Sequence, residues 1–404
     1  MCPRFLLVSF VGGTVHPLKV HHKSRGLKHV LILMRRKILH IVGSMSRGGV
    51  ETWLMNVMRN IDRDQFEFHF LVGSNTESAY DQEIIALGGH VHYGAITGNF
   101  SKYASCFESV IRQHGPFAVV HGHVYWYSGF VTRLGFVSGI PIRIAHSHTA
   151  TSAPAWRFDR RMYQTLMRSL IMRYSTHRLG VSQQAAEALF GRRPAKPFTL
   201  LYYGLDFTRF LQRDPTDRAK WRLSIPPGRK VIGHVGRFMP VKNHAFTVDF
   251  FERIVRSGTD AHLLFVGDGA LAPTVKALVE SRGLTDRCTF AGLQSDVAPF
   301  FSAMDAFVLP SLWEGLPLVA FEAQAAGVPV IASTGTPEEI SAIPRLVERI
   351  PLSAGASGWA SVVSRTINGP SRRQGDEPLF LQNSRFGLPT CLNQLSRIYA
   401  GNLN

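Results

Sequence analysis

The sequence predicts an α/β protein of two Rossmann-like domains whose parallel sheets face a central crevice. Three observations carry this. The chain has 404 residues, more than one ordinary hydrophobic core organises. Its composition, 45% hydrophobic and 18% charged, is globular. Short apolar runs followed by glycine turns and helix-length segments occur in two successive series, the pattern of βα units.

The first series opens at residues 37–42, before Gly48 and Gly49, and continues with Phe66–Val72 before Gly73, then residues 118–121 and 143–146. Residues 201–206 close it. The second runs through residues 231–235, 262–266, Cys288–Phe290, Ala306–Leu309 and 328–332. Between the two, residues 214–227 carry the charge and turn residues of a hinge and a first helix. The resulting division is 37–210 for the first domain, 211–385 for the second, and 386–404 for a closing segment with a helix over 388–399. After about Ile340 the strand signals fade, and residues 368–377 read as a loop. Residues 1–36 read as a basic tail or a mis-assigned start, with Met34 just ahead of the first strand.

Charge narrows the function. The net charge of +17 calls for an anionic partner: nucleic acid, a membrane surface or a substrate. Seven cations (Arg4, Lys19, Lys23, Arg25, Lys28, Arg35, Arg36) and no acid fall in the first 36 residues, so part of the excess belongs to that segment. No zinc-finger spacing or Arg/aromatic recognition motif accompanies it, which argues against nucleic acid. The cysteines Cys2, Cys106, Cys288 and Cys391 are too scattered for a disulfide framework or a zinc site and point to a reducing, cytoplasmic setting. No apolar run approaches the roughly 18–20 residues that span a bilayer.

Two open α/β sheets place ligands at the carboxyl ends of their strands, so motifs following strands are the candidate site. The strongest is residues 310–327, PSLWEGLPLVAFEAQAAG. Glu314, Gly315 and Leu316 form a turn ahead of a helix that starts near Pro317 and stops at Gly327. Backbone N–H groups of Gly315 and Leu316 at such a helix start suit a diphosphate or sugar oxygen. Glu314 faces the ligand in this reading. Glu322, set in an apolar segment, needs a partner such as a ribose diol. An isolated pair of glutamates is more often a cap and a solvated residue; the apolar context reverses that preference. Gly236, Arg237 and Lys242 follow the strand at 231–235 and offer two fixed cations to a diphosphate. Gly48 and Gly49 let the backbone approach a bulky ligand or simply turn the chain. His146 ends a strand and is expected at the crevice. A metal site at His146 and His148 is discounted because no carboxylate or third ligand lies at helpful spacing.

These residues resemble the retaining family 4 glycosyltransferases of GT-B fold, and within them the EpsF-like exopolysaccharide group. The resemblance runs from about Lys37 to the end of the chain and is densest in GRFMPVKNH, FVGDGAL and the stretch from FAGLQSD to VPVIAS. It implies that Glu314 contacts the donor sugar, Glu322 the ribose, and Arg237 and Lys242 the diphosphate. It likewise implies that Gly48 and Gly49 form the family's glycine loop and that His146 is its active-site histidine. It further implies a UDP- or GDP-sugar donor, retention of configuration, no metal and no cofactor beyond the donor, and a final helix crossing back to the first domain. The acceptor is then a glycan or lipid-linked glycan, with contact at the anionic inner face of the membrane. Residues 334–338, TGTPE, depart from the paired glycines the family often carries there. A nucleotide-sugar epimerase of the same fold and a non-catalytic anion-binding scaffold are the rival readings.

Overall fold

The computed structural model describes residues 35–46, 48–94, 99–149, 158–211 and 223–402. Residues 1–34, the bulk of the basic segment, and most of the expected hinge at 214–227 lie outside the described residues. Arg35–Asn404 forms one compact unit.

Two parallel sheets organise it. The first holds β1 (Arg36–Val42), β2 (Phe66–Val72), β3 (His90–Tyr93), β4 (Val119–Gly122), β5 (Ile142–Ser147), β6 (His177–Gly180) and β7 (Thr199–Leu200), in the order β3-β2-β1-β4-β5-β6-β7. The second holds β8 (Lys230–Val235), β9 (Ala261–Val266), β10 (Cys288–Phe290), β11 (Ala306–Leu309), β12 (Val330–Ser333) and β13 (Val347–Ile350), in the order β10-β9-β8-β11-β12-β13. Every described pairing in both sheets is parallel. Each sheet reverses its winding direction once, between β1 and β4 and between β8 and β11. Those two switch points are where a doubly wound sheet opens a ligand crevice.

Helices cover both faces of each sheet, so the central strands are buried throughout and read as apolar runs; β2 and β9 are buried at every position. The expectations for the central strands hold to within one or two residues, and Arg36, assigned to the basic tail, already belongs to β1. Strands β3, β6, β7 and β13 escaped detection. They are short, and HVHY, HRLG and VERI interrupt their apolar positions with charge or histidine. The fading of strand signals after Ile340 is therefore corrected: β13 extends the second sheet and the helix Gly355–Asn368 covers it, with Trp359 fully buried.

The chain crosses between the sheets twice, and the crossings lie side by side. Leu205 forms a parallel bridge with Gly387, its N–H donating to Phe386 O at 3.0 Å while Leu388 N donates to Leu205 O at 2.9 Å. The helix Leu388–Ala400 then packs on the first domain. Trp53 Nε1 donates to Cys391 Sγ at 3.4 Å, Gln394 Nε2 to Leu200 O at 3.3 Å, and the Tyr399 hydroxyl meets His121 Nδ1 at 2.9 Å. One apolar cluster accordingly runs from β1 and the helix Gly49–Asn60, through Phe207 and Phe210, to Phe301 and Phe321 of the second domain.

Candidate functional site

Between the carboxyl ends of the two sheets lies a crevice of about 860 Å³, lined by residues of both domains. The second domain supplies its floor from the loops after β8 and β11, the strands flanking the switch point. The β8 loop is fixed by its neighbour after β9. Gly236 N donates to Val266 O at 2.9 Å and Phe238 N to Asp268 O at 2.9 Å. Gly267 (φ +132°) and Gly269 (φ +156°) adopt backbone angles that other residues rarely hold, and a Cβ at Gly267 would lie 2.1 Å from Gly236 O. Leu312 N donating to Val241 O at 2.8 Å ties the β11 loop to the β8 loop.

That scaffold brings Lys242 and Glu314 together, Nζ to Oε1 at 2.7 Å, with Ser311 Oγ donating to the same oxygen at 2.6 Å. Both side chains are about one-seventh exposed, so the pair is partly withdrawn from water and its geometry is set from three sides. Pro317 occupies the N-cap of the helix Leu318–Ala325 rather than its first turn, and Gly327 (φ +65°) ends the helix as expected. Gly315, Leu316 and Leu318 line the crevice at this helix start. The Gly315 carbonyl is already taken by Ser182 Oγ of the first domain at 2.8 Å, and a Cβ on Gly315 would lie 2.0 Å from His148 O. The loop thus meets the first domain backbone to backbone.

Glu322 lines the crevice one helical turn or more further in and is buried. Its partner is Arg209, which pairs with its carboxylate and also approaches Asp296 Oδ1 at 3.7 Å. Burial raises the Glu322 carboxyl above its ordinary value, and the Arg209 guanidinium opposes that rise. Arg237 completes the floor. It faces Glu51, a first-turn residue of the helix Gly49–Asn60 in the other domain, whose carboxyl burial also raises, against a backbone hydrogen bond and the Arg237 charge.

Gly48 and Gly49 differ in what they do. A Cβ at Gly48 would lie 2.3 Å from Glu51 Oε2 and 3.4 Å from Arg237 Nη2, so this glycine makes room for that cross-domain approach. At Gly49 nothing lies within 4 Å of a Cβ position, and the backbone fronts open crevice. Gly236 lies beside the Lys242 stem, which a Cβ would meet at 3.4 Å.

His146 is corrected. It is fully buried and does not line the crevice; its ring stacks on His121 at 5.3 Å between centroids and meets Trp53 edge-on at 5.4 Å. His146 and His148, two residues apart, lie on the same side with ring centroids 4.1 Å apart, and His148, just beyond the end of β5, is the one of the two that lines the crevice. His148 Nδ1 meets the Tyr203 hydroxyl at 2.7 Å and its Nε2 meets His123 Nδ1 at 2.8 Å; His123 Nε2 continues to His40 Nδ1 at 3.1 Å. Burial lowers His148 and His40 to about 3, so these rings are neutral at physiological pH. The expectation that His146 and His148 have no carboxylate or third ligand beside them is overturned for the third ligand, since His121 and His123 of β4 and its following loop lie against them.

Glu51, Arg209 and His148 are among the crevice residues that the sequence reading did not name as site residues. Glu51 sits beside the Gly48-Gly49 turn, but each of the three meets its partner across a long sequence separation, which local spacing cannot reveal.

The carboxyl-terminal half, residues 229–349, matches the model for glycosyl transferases group 1, and residues 47–209 match that for glycosyltransferase family 4. EpsF of Bacillus subtilis is 33% identical over 82% of this chain and 88% of EpsF. The chain belongs to the EpsF-like family 4 glycosyltransferases. The glycosyltransferase is also 27% identical, over 74% of its length and 81% of the relative, to the capsular polysaccharide biosynthesis glycosyltransferase CapH of Staphylococcus aureus. Among solved structures, HepE of Anabaena, crystallised with UDP and with UDP-glucose, superposes with TM-scores of 0.74 and 0.73 at 18% and 17% identity, covering 90% of this chain and at least 99% of HepE. That likeness is one of fold, and the fold is GT-B.

Proposed function

We propose that the crevice binds a nucleoside diphosphate sugar, with UDP the favoured carrier, and transfers the sugar to a glycan or lipid-linked glycan in the synthesis of a cell-surface or exported polysaccharide. The observation that carries this reading is the set of three cation–carboxylate pairings lining one crevice at two sheet switch points: Lys242 with Glu314, Arg209 with Glu322, and Arg237 facing Glu51. The UDP and UDP-glucose complexes of HepE and the capsular role in the name of CapH support the donor and product classes.

In this reading the diphosphate competes with Glu314 and Glu51 for Lys242 and Arg237. Two cations on fixed loops then hold the charge that develops on the departing diphosphate. Glu314, released from Lys242, turns to hydroxyls of the donor sugar, while Glu322, held by Arg209, accepts from the ribose. The glycosidic bond from C1 to the phosphate oxygen breaks as the acceptor oxygen bonds to C1 on the same face. The departing phosphate oxygen takes the acceptor proton, so configuration is retained and no protein nucleophile is used. Because the two cations neutralise the diphosphate, donor binding is expected to persist in a chelator. The excess of cations at the start of the chain suits an anionic membrane surface, where a lipid-linked acceptor resides; full recovery in the soluble fraction at low salt would count against that membrane contact.

Calorimetry with UDP and GDP in a chelating buffer tests the donor site. One nucleotide is expected to bind with micromolar affinity to the native chain and to be lost in Arg237→Ala and Glu322→Ala. Retained binding in both variants would remove the crevice from consideration. Product analysis with and without acceptor then separates transfer from epimerisation of the donor.

A further inference from the structure

A second constellation lies away from the crevice, on the helix-covered face at the outer edge of the first sheet. Glu67 and His69 alternate on β2, and His90 and His92 alternate on β3 in register with His69 and Leu71. All four side chains therefore share one face. His114, the last residue of the helix Phe100–His114, closes over them, its ring centroid 4.4 Å from that of His92. None of the five residues lines the crevice.

The geometry points to a binding site for a divalent transition-metal ion, of the Zn²⁺ or Ni²⁺ class, held by His69, His92 and His114 and oriented by Glu67. One nitrogen from each of the three histidines lies within 4.8 Å of the others. His69 Nδ1 and His92 Nε2 are 2.9 Å apart, a hydrogen-bonding distance that opens by roughly 0.4 Å to seat both on a tetrahedral ion with Zn–N bonds of about 2.0–2.1 Å. The remaining nitrogen of His69, Nε2, meets Glu67 Oε1 at 2.9 Å. A carboxylate behind one ring nitrogen fixes the tautomer that turns the other toward a metal, one of the outer partners, with backbone carbonyls and water, that metal-bound histidines almost always have. Three neutral imidazoles suit zinc, nickel or copper rather than magnesium or calcium, and burial keeps His69 and His92 uncharged.

Charges around the site are mixed. Arg35 Nη2 sits 3.0 Å from Glu67 Oε2, Lys37 Nζ donates to the His114 carbonyl at 2.8 Å, and half-exposed His90 approaches Glu67 Oε1 at 3.5 Å. Glu67 is thus the counter-charge of the group, and the exposed side at His90 is the approach. An ion here joins β2, β3 and the end of the helix Phe100–His114, so its effect is to pin the sheet edge.

Buried histidines behind the crevice form similar triplets, so the test must separate the two places. The full chain, stripped with a chelator, is dialysed against Zn²⁺ and its retained metal and thermal midpoint are measured, with Co²⁺ absorption reporting the coordination. The native chain is expected to retain about one equivalent and to melt higher with metal. His114→Gln, which removes a ligand at a half-buried helix end, is expected to lose both effects. Glu67→Gln keeps all three ligands and is expected to weaken binding about 10- to 100-fold, and it serves alone if His114→Gln does not fold. No retained zinc in the native chain overturns the proposal. So does retention unchanged in both variants, or loss on His123→Gln instead.

Discussion

Glu314 and Glu322 stand eight residues apart and meet different cations, and the difference sets what each substitution does. Glu314 accepts from Lys242 and Ser311, so Glu314→Gln leaves an oxygen for both donors while removing the charge that neutralises Lys242. UDP is expected to bind at least as tightly to this variant, because Lys242 no longer has to leave a carboxylate. Sugar transfer is expected to fall about 100-fold, the order that loss of one preorganised polar group costs. Calorimetry and turnover on the same preparation check the split; a parallel loss of both would assign Glu314 to ground-state binding. These two glutamates, Arg237 and Lys242 were legible because the turn, the helix start and the strand ahead of each lie within a dozen residues. Arg209 was not: it pairs with a residue 113 positions away, and nothing in its own neighbourhood marks it. His146 was misassigned for the opposite reason. Its strand was read correctly, but of two histidines on one face only the one beyond the strand end, His148, reaches the crevice, and that depends on where the strand ends.

Among the elements, the helix Leu388–Ala400 shows how much a terminal segment contributes to a distant domain. Tyr399 is fully buried, its ring edge-on to Phe66 and Phe68 and its hydroxyl on His121. Tyr399→Phe keeps the ring packing and strands one buried imidazole nitrogen, so a loss of about 1–3 kcal/mol is expected, read as a lower urea midpoint with UDP affinity unchanged. A loss of UDP binding at full stability would instead couple this helix to the crevice. The helix itself was legible from its apolar spacing. So were the central strands, whose apolar runs reflect burial on both faces, whereas β6 was hidden because its buried Arg178 is satisfied by the carbonyls of Pro197 and Ser175 rather than by an acid. A buried guanidinium bonded to backbone reads in sequence like any surface arginine.

Across the whole molecule, buried histidines govern the response to acid. His40, His121, His123, His146, His148 and His234 are all held below the ordinary imidazole range by burial. The unfolded chain takes up these protons below about pH 6.5 while the folded chain refuses them, to about pH 3 for His40 and His148. The unfolded state then binds more protons, so stability is full above pH 6.5 and falls as pH drops below it, by about 1.4 kcal/mol per unit for each such ring. Urea midpoints at about pH 7.5 and 5.5 are expected to differ strongly; equal midpoints would mean that the folded rings accept protons.

The side-by-side crossings at Leu205 and Gly387 bear on how the molecule is made. The helix that supplies Cys391, Leu395 and Tyr399 to the core of the first domain follows every strand of the second sheet in the chain, and so leaves the ribosome after them. Until then the flank of β1 and the helix Gly49–Asn60 that it covers lacks this partner, although the rest of its domain has long emerged. Completion of the earliest domain therefore awaits synthesis of the second, and a chain cut before Gly387 leaves that flank of the first sheet uncovered.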